Sequence, residues 1–138
     1  MSNYVLYVKT CPGVANPEHF KIGIAGLDTV RNRLASYQNA VGPVWQEQFV
    51  RIFLGQRMHV KEAEAQVKFR FKDQISSAEA GFSEWISNVQ LNDVLNVIQE
   101  LREEYFIKLF DPPQEFQPLT MAKCSDLSEW WKGHGVTI

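Results

Sequence analysis

The spacing of the apolar residues changes repeatedly along this chain, and the order of those changes leaves few possible folds. Tyr4-Val-Leu-Tyr-Val-Lys-Thr10 is rich in β-branched and aromatic residues and reads as a strand. Cys11-Pro-Gly13 breaks it, and Phe20-Lys-Ile-Gly-Ile-Ala25 reads as a second strand. Asp28 is placed to cap a helix over Thr29–Asn39, with Val30, Leu34 and Tyr37 on one face, and Gly42-Pro43 stops it. Trp45–Leu54 alternates and predicts a third strand. Helical spacing then takes over at Met58–Lys72, through Val60, Ala63, Val67 and Phe71. Gln74–Phe82 reads as a loop and Ser83–Ser87 as a short element. Leu91, Val94, Leu95, Ile98, Leu101 and Tyr105 predict a long helix over Asn88–Phe110, stopped by Asp111-Pro-Pro113. Beyond it the chain turns proline-containing and acidic, with one or two helical turns over Asp126–Lys132. The order β-β-α-β-α-α predicts an α+β fold, a small three-stranded antiparallel sheet flanked by helices. The expected division is a domain over residues 1–110 and a tail over 111–138 that packs on the domain or on a partner.

Composition narrows the class. A chain of 138 residues is the size of one domain and needs no disulfide or structural metal to bury a core. An apolar share of 45% with 22% charged residues is globular rather than disordered. No apolar run approaches the roughly 18 residues of a membrane span, so no membrane association is expected. Met1-Ser2-Asn3-Tyr4 shows no basic segment followed by an apolar stretch, so the expected location is the cytoplasm. Cys11 and Cys124 fit no zinc or redox spacing and are expected to be reduced thiols. The net charge of −2 hides an asymmetry: residues 1–72 carry ten basic and five acidic side chains, whereas residues 73–138 carry four and eleven. A front half of +5 suits a phosphate-bearing partner.

Four pieces in order sharpen this reading. Val5-Leu6-Tyr7 on the first strand and Lys21-Ile22-Gly23 on the second resemble the two tripeptides of the GIY-YIG nuclease superfamily. Arg33 and, four residues on, Tyr37 stand where members carry an Arg and then a His or Tyr. Glu64-x-x-Val67-Lys68-x-x-Phe71 is similar to the helix that precedes the metal-binding Glu in the phage-type and restriction-associated branch, and Ser83-Glu84-Trp85-Ile86 resembles the segment that holds that Glu. The resemblance covers about residues 4–105. Val5 replaces the first Gly of the first tripeptide, Lys21 the Tyr of the second, and Lys68 a frequent His. The later Asn of the family has three candidates, Asn88, Asn92 and Asn96.

The resemblance implies a GIY-YIG-like nuclease domain and an Mg²⁺-dependent DNA endonuclease, with Mn²⁺ as a substitute ion. Phosphodiester hydrolysis needs an activated water, charge stabilisation on the phosphoryl oxygens and help for the leaving oxygen. Tyr7 would orient the water or take its proton. A phenol titrates near 10 when unperturbed, so that role needs a nearby cation, which Lys21 would supply unless it binds phosphate itself. Arg33 would present its donor fork to the phosphoryl oxygens, and Tyr37, one helical turn on, would hydrogen-bond the phosphate or relay a proton. Glu84 would hold the metal, a single carboxylate for a single hydrated ion. Lys21, Arg31, Arg33, Lys68 and Arg70 are the expected DNA contacts. The expected partners are DNA and a second copy or another protein, in a homing, restriction or host-DNA-degrading setting within a host cell's cytoplasm.

Other chemistries fare worse. Nothing in the sequence activates either thiol, and no glycine cluster joins a strand to a helix as a phosphate loop requires. His19, His59 and His134 share no metal spacing and read as bystanders, and Trp85 reads as core. The alternative from a different class is a module of the same fold with weak or no catalysis that binds DNA or a protein. The acidic third helix and tail, which would repel DNA, favour it. Trp130-Trp131 would then anchor a partner or cap the domain's own core.

Overall fold

The computed structural model describes residues 3–10, 20–32, 48–74, 86, 89–117, 119 and 121–133. Three strands, β1 (Asn3–Thr10), β2 (Phe20–Gly26) and β3 (Gln48–Gln56), form one antiparallel sheet in the order β2-β1-β3. Helix α1 (Arg57–Arg70) follows β3 directly, α2 (Leu91–Glu104) lies beyond it in the chain, and α3 (Cys124–Gly133) closes it. Residues 30–32 are the first helical residues after β2. The chain is therefore α+β with a small three-stranded antiparallel sheet.

The sheet is buried on both sides, and period-two alternation sorts its residues between two cores. Leu6, Val8, Phe20, Ile22 and Phe53 join Val60, Ala63 and Val67 of α1 and Val94, Ile98 and Leu101 of α2. Val5, Tyr7, Ala25, Ile52 and Leu54 join Phe116, Leu119, Cys124, Leu127 and Trp131. A central strand covered on both faces reads as an almost unbroken apolar run, which is what Val5-Leu6-Tyr7-Val8 is. The segment after Phe110 thus supplies apolar cover for this sheet face, together with Leu27 and Val30. Trp131 is buried, with Phe110 edge-on to it at 6.1 Å between ring centroids.

Both sheet edges are partly protected. Leu54 and Phe110 exchange backbone hydrogen bonds of 2.9 and 2.8 Å, and the Ile52 amide donates to Gln117 Oε1 at 3.2 Å. Gly55 permits this docking, because a Cβ there would meet the Lys108 carbonyl oxygen at 2.9 Å. On the other side Phe20 and Ile86 exchange bonds of 2.9 and 2.7 Å. Edges covered in this way do not template pairing with other chains.

The long helix expected over Asn88–Phe110 is shorter, Leu91–Glu104. A capping box opens it: the Gln90 amide donates to Asp93 Oδ2 at 3.0 Å. Phe106, left-handed at φ 56°, ends it. From there the period changes: Ile107 and Leu109 are buried while Phe106 and Lys108 are exposed, an alternation of two that a strand-like segment produces and a helix does not. The one or two turns expected over Asp126–Lys132 extend to Cys124 on one side and Gly133 on the other, so α3 has ten residues.

Candidate active site

Tyr7 stands at the middle of β1, directly opposite Gly23 of β2 and Ile52 of β3. Its ring lies over the Gly23 Cα. A Cβ on Gly23 would meet Tyr7 Cζ at 2.6 Å, closer than Cβ atoms approach, and Cε1 at a tight 3.0 Å. The side chain is 2% exposed.

Lys9 and Lys21 form the register pair two residues along, so both fall on the Tyr7 face of the sheet. Lys21 is half-buried, whereas Lys9 is 1% exposed, the one charged residue among the described residues with so little contact with solvent. Beside them β3 carries a bulge: Val8 pairs with Arg51 and Lys9 with Phe49, so Val50 is an extra residue. Bulges often lie next to sites, where they re-aim side chains. The charged residues of the three strands are Lys9, Lys21 and Arg51, all basic and at this end of the sheet; Arg51, opposite Val8, lies on the other face, 3.6 Å from Asp111. Lysines placed opposite one another repel, and such a concentration of positive charge favours an anionic ligand.

Lys9 did not stand out in the sequence, although its place two residues after Tyr7 on a strand is the signal that marks it. The other expected residues divide by position. Arg31 is exposed beyond the far end of β2 from Lys21. There it lines a cleft of about 240 Å³ with Asp28, Cys124, Ser125, Ser128 and Glu129. Burial pushes the Cys124 thiol above its ordinary value, with the Arg31 charge opposing. Lys68 and Arg70 belong to α1, which covers the opposite sheet face, so they do not join Tyr7 and Lys21. Lys68 Nζ lies 3.6 Å from Glu64 one turn away. Arg70 donates to both Glu100 oxygens, at 2.8 and 3.5 Å. That bond raises the Arg70 guanidinium and holds the Glu100 carboxyl below its ordinary range.

Arg33, Tyr37, Glu84 and Trp85 lie outside the described residues, as do Asn88, His19 and His134. Asn92 and Asn96 are exposed on α2. The Ile86 pairing places the chain two residues after Glu84 against Phe20, the neighbour of Lys21. No group of three or more His, Cys, Asp or Glu side chains suited to a metal ion occurs among the described residues. His59 accepts a hydrogen bond at Nδ1 from the Lys108 amide at 3.1 Å, so that nitrogen carries no proton in this arrangement.

The chain matches no protein-family model, no curated protein and no solved structure. The site therefore has to be read from its own geometry. The Tyr7 phenol and the Lys9 ammonium are enclosed, and half-buried Lys21 beside them is the cation of this face most open to a phosphoryl group. Among the described residues no helix is long and apolar enough to cross a membrane.

Proposed function

We propose that this chain is a metal-dependent DNA endonuclease that hydrolyses phosphodiester bonds at a single-metal site of the GIY-YIG type. The observation that carries this reading is the register of the two tripeptides. Val5-Leu6-Tyr7 and Lys21-Ile22-Gly23 lie on adjacent antiparallel strands, with Tyr7 seated on Gly23 and Lys21 on the same face. Either tripeptide alone is weak; their pairing in the register that joins the phenol, the lysine and the ring-bearing glycine is far more specific.

In this reading Tyr7 orients the attacking water or accepts its proton, and Lys21 holds the phosphoryl group. Arg33 would bind the equatorial oxygens as charge builds, and Tyr37 would hydrogen-bond the phosphate. Glu84 is the residue that would hold Mg²⁺, which when bound neutralises charge on the phosphoryl and leaving oxygens. The test is incubation of supercoiled plasmid with purified protein, in Mg²⁺ or in EDTA, beside Tyr7→Phe, Arg33→Ala and Glu84→Ala. Nicking or linearisation by the metal-supplemented wild type alone is the expected result. Equal cutting by Glu84→Ala, or silence of the wild type on duplex, single-stranded and branched DNA, overturns it.

One observation favours the second reading, a binding module without catalysis: Tyr7 and Lys9 are 2% and 1% exposed, so the face that would carry the chemistry is closed to solvent. DNA retention by a chain that does not cut would select that reading.

A further inference from the structure

The four large apolar side chains most open to solvent among the described residues belong to one layer. They are Met58 and Phe69 of α1, 70% and 63% exposed, and Tyr105 and Phe106 just past α2, 55% and 79% exposed. Met58 and Phe69, about three helical turns apart, share the outer side of α1, opposite buried Val60, Ala63 and Val67, and two contacts of their neighbours join the end of α2 to this helix. The Arg70 guanidinium, next to Phe69, lies 5.8 Å from the Tyr105 ring centre. His59, next to Met58, accepts from the Lys108 amide, two residues after Phe106.

Phe106 is the most informative of the four. A left-handed residue that ends a helix is ordinarily Gly or Asn, because a Cβ crowds the backbone there. Here the position holds a bulky aromatic at φ 56°, and its side chain is 79% exposed, so core packing does not repay the strain. A local rule broken without an internal gain points to a use outside the folded chain.

The charges indicate what covers the surface. With Arg70 and Glu100 paired to each other within the chain, α1 keeps three basic residues and two acidic ones, a net +1, while α2 keeps one basic and three acidic, a net −2. A nucleic acid laid across both helices would be repelled by α2. A second copy related by a two-fold axis would bring α1 of each chain against α2 of the other, matching positive to negative twice. An isologous interface needs one patch that carries both halves of the match, as this one does.

We propose that the outer face of α1 and α2, centred on Phe69, Tyr105 and Phe106, is a two-fold interface between two copies of this chain. Each copy lays its exposed aromatics on the other, and the opposed helix charges set the antiparallel orientation. This assignment does not depend on the nuclease reading.

The test is sedimentation of the full chain across about 1 to 100 μM, a span that separates a micromolar dimer from a monomer. The wild type is expected to dimerise. Phe69→Glu and Phe106→Gly are each expected to weaken the dimer about tenfold or more, a change that sedimentation resolves. Phe106→Gly should meanwhile keep or raise the melting temperature of the monomer, because glycine accepts the left-handed backbone. This second variant separates a lost interface from a lost fold. Lys61→Glu of α1 and Glu104→Lys of α2, both exposed carriers of the opposed helix charges, should each self-associate poorly, yet form a mixed dimer when combined. A wild type that stays monomeric over the whole range overturns the proposal, as do variants that dimerise like the wild type, or charge variants that fail to mix. A monomer whose DNA affinity falls in Phe69→Glu would assign the patch to nucleic acid instead.

Discussion

The ring of Tyr7 rests on the bare Cα of Gly23, its direct partner across the β1–β2 ladder. The relationship is steric before it is chemical. β1 is the central strand and is packed on both faces, so the ring has nowhere to retreat from a new Cβ. Gly23→Ala is expected to destabilise the fold by about 1–3 kcal/mol, the usual cost of overpacking. Combining it with Tyr7→Leu should recover part of the loss, because the colliding ring atoms are gone. Urea denaturation of the two single variants and the double variant checks this. Simple additivity would mean that the ring does not rest on Gly23.

The C-terminal segment is expected to be indispensable to the fold. Leu127 is fully buried beside Val5, Tyr7 and Leu54, and Leu127→Ala leaves a cavity there. Such truncations cost about 2–5 kcal/mol. A chain cut after Phe110 would uncover the part of the Tyr7 face that Phe116, Leu119, Leu127 and Trp131 bury and should aggregate. Thermal melting of Leu127→Ala and the solubility of the shortened chain are the measurements. A shortened chain that folds and melts like the wild type would contradict this account.

Cys124 should be silent in the native state. It is buried, and that burial raises its thiol above the ordinary value of 9.0. The thiolate is the reactive form, so alkylation at neutral pH should wait for α3 to open. In a Cys11→Ser background, labelling of Cys124 should therefore be slow and should accelerate with denaturant. The sign for stability follows: a raised folded-state value contributes fully below 9.0, and the contribution fades as the pH rises through the folded-state value.

Glu100 sets an acid-side dependence of the opposite sign. Arg70 holds its carboxyl below the ordinary 4.5, so the pair contributes fully above 4.5, and the contribution is lost as the pH falls through the lower folded-state value. Glu100→Gln should therefore narrow its stability difference from the wild type in acid. Both side chains are partly exposed, at 28% and 38%, so the gap should also shrink in high salt. Parallel denaturation curves at neutral and acidic pH, each at low and high salt, read both effects.

At the site, Tyr7→Phe is expected to lower plasmid cleavage by about 10²–10⁴, the range for loss of a general acid or base. In the proposed reading, Lys21→Met should also lower it while weakening the inhibition by salt, since the half-buried cation that would hold the phosphoryl group is lost. Cleavage rates at several ionic strengths, with circular dichroism to confirm folding, separate the two. Cleavage unchanged in both variants would place the chemistry elsewhere.

Local information was enough to read most of the framework. β-branched and aromatic runs announced the first two strands and alternation the third, and helical spacing announced α1 and the body of α2, because each pattern needs only its own neighbours. The tripeptides around Tyr7 and Gly23 could likewise be read in line. Other features depended on residues far apart in the chain. The end of α2 was hidden because Tyr105 keeps the helical spacing while Ile107 and Leu109 begin an alternating one, and the docking of Phe110 on Leu54 decides between them. Lys68 and Arg70 looked like companions of Lys21 by charge alone, yet α1 packs on the other side of the sheet. Lys9 gained its standing from burial and from its partner across the ladder. The segment after Phe110 reads as a tail that packs on the domain or on a partner, and the tertiary structure buries Phe116, Leu119, Leu127 and Trp131 with the residues of the Tyr7 face. Spacing along one chain tells which residues share a face; only packing between distant segments decides which face is covered, and by what.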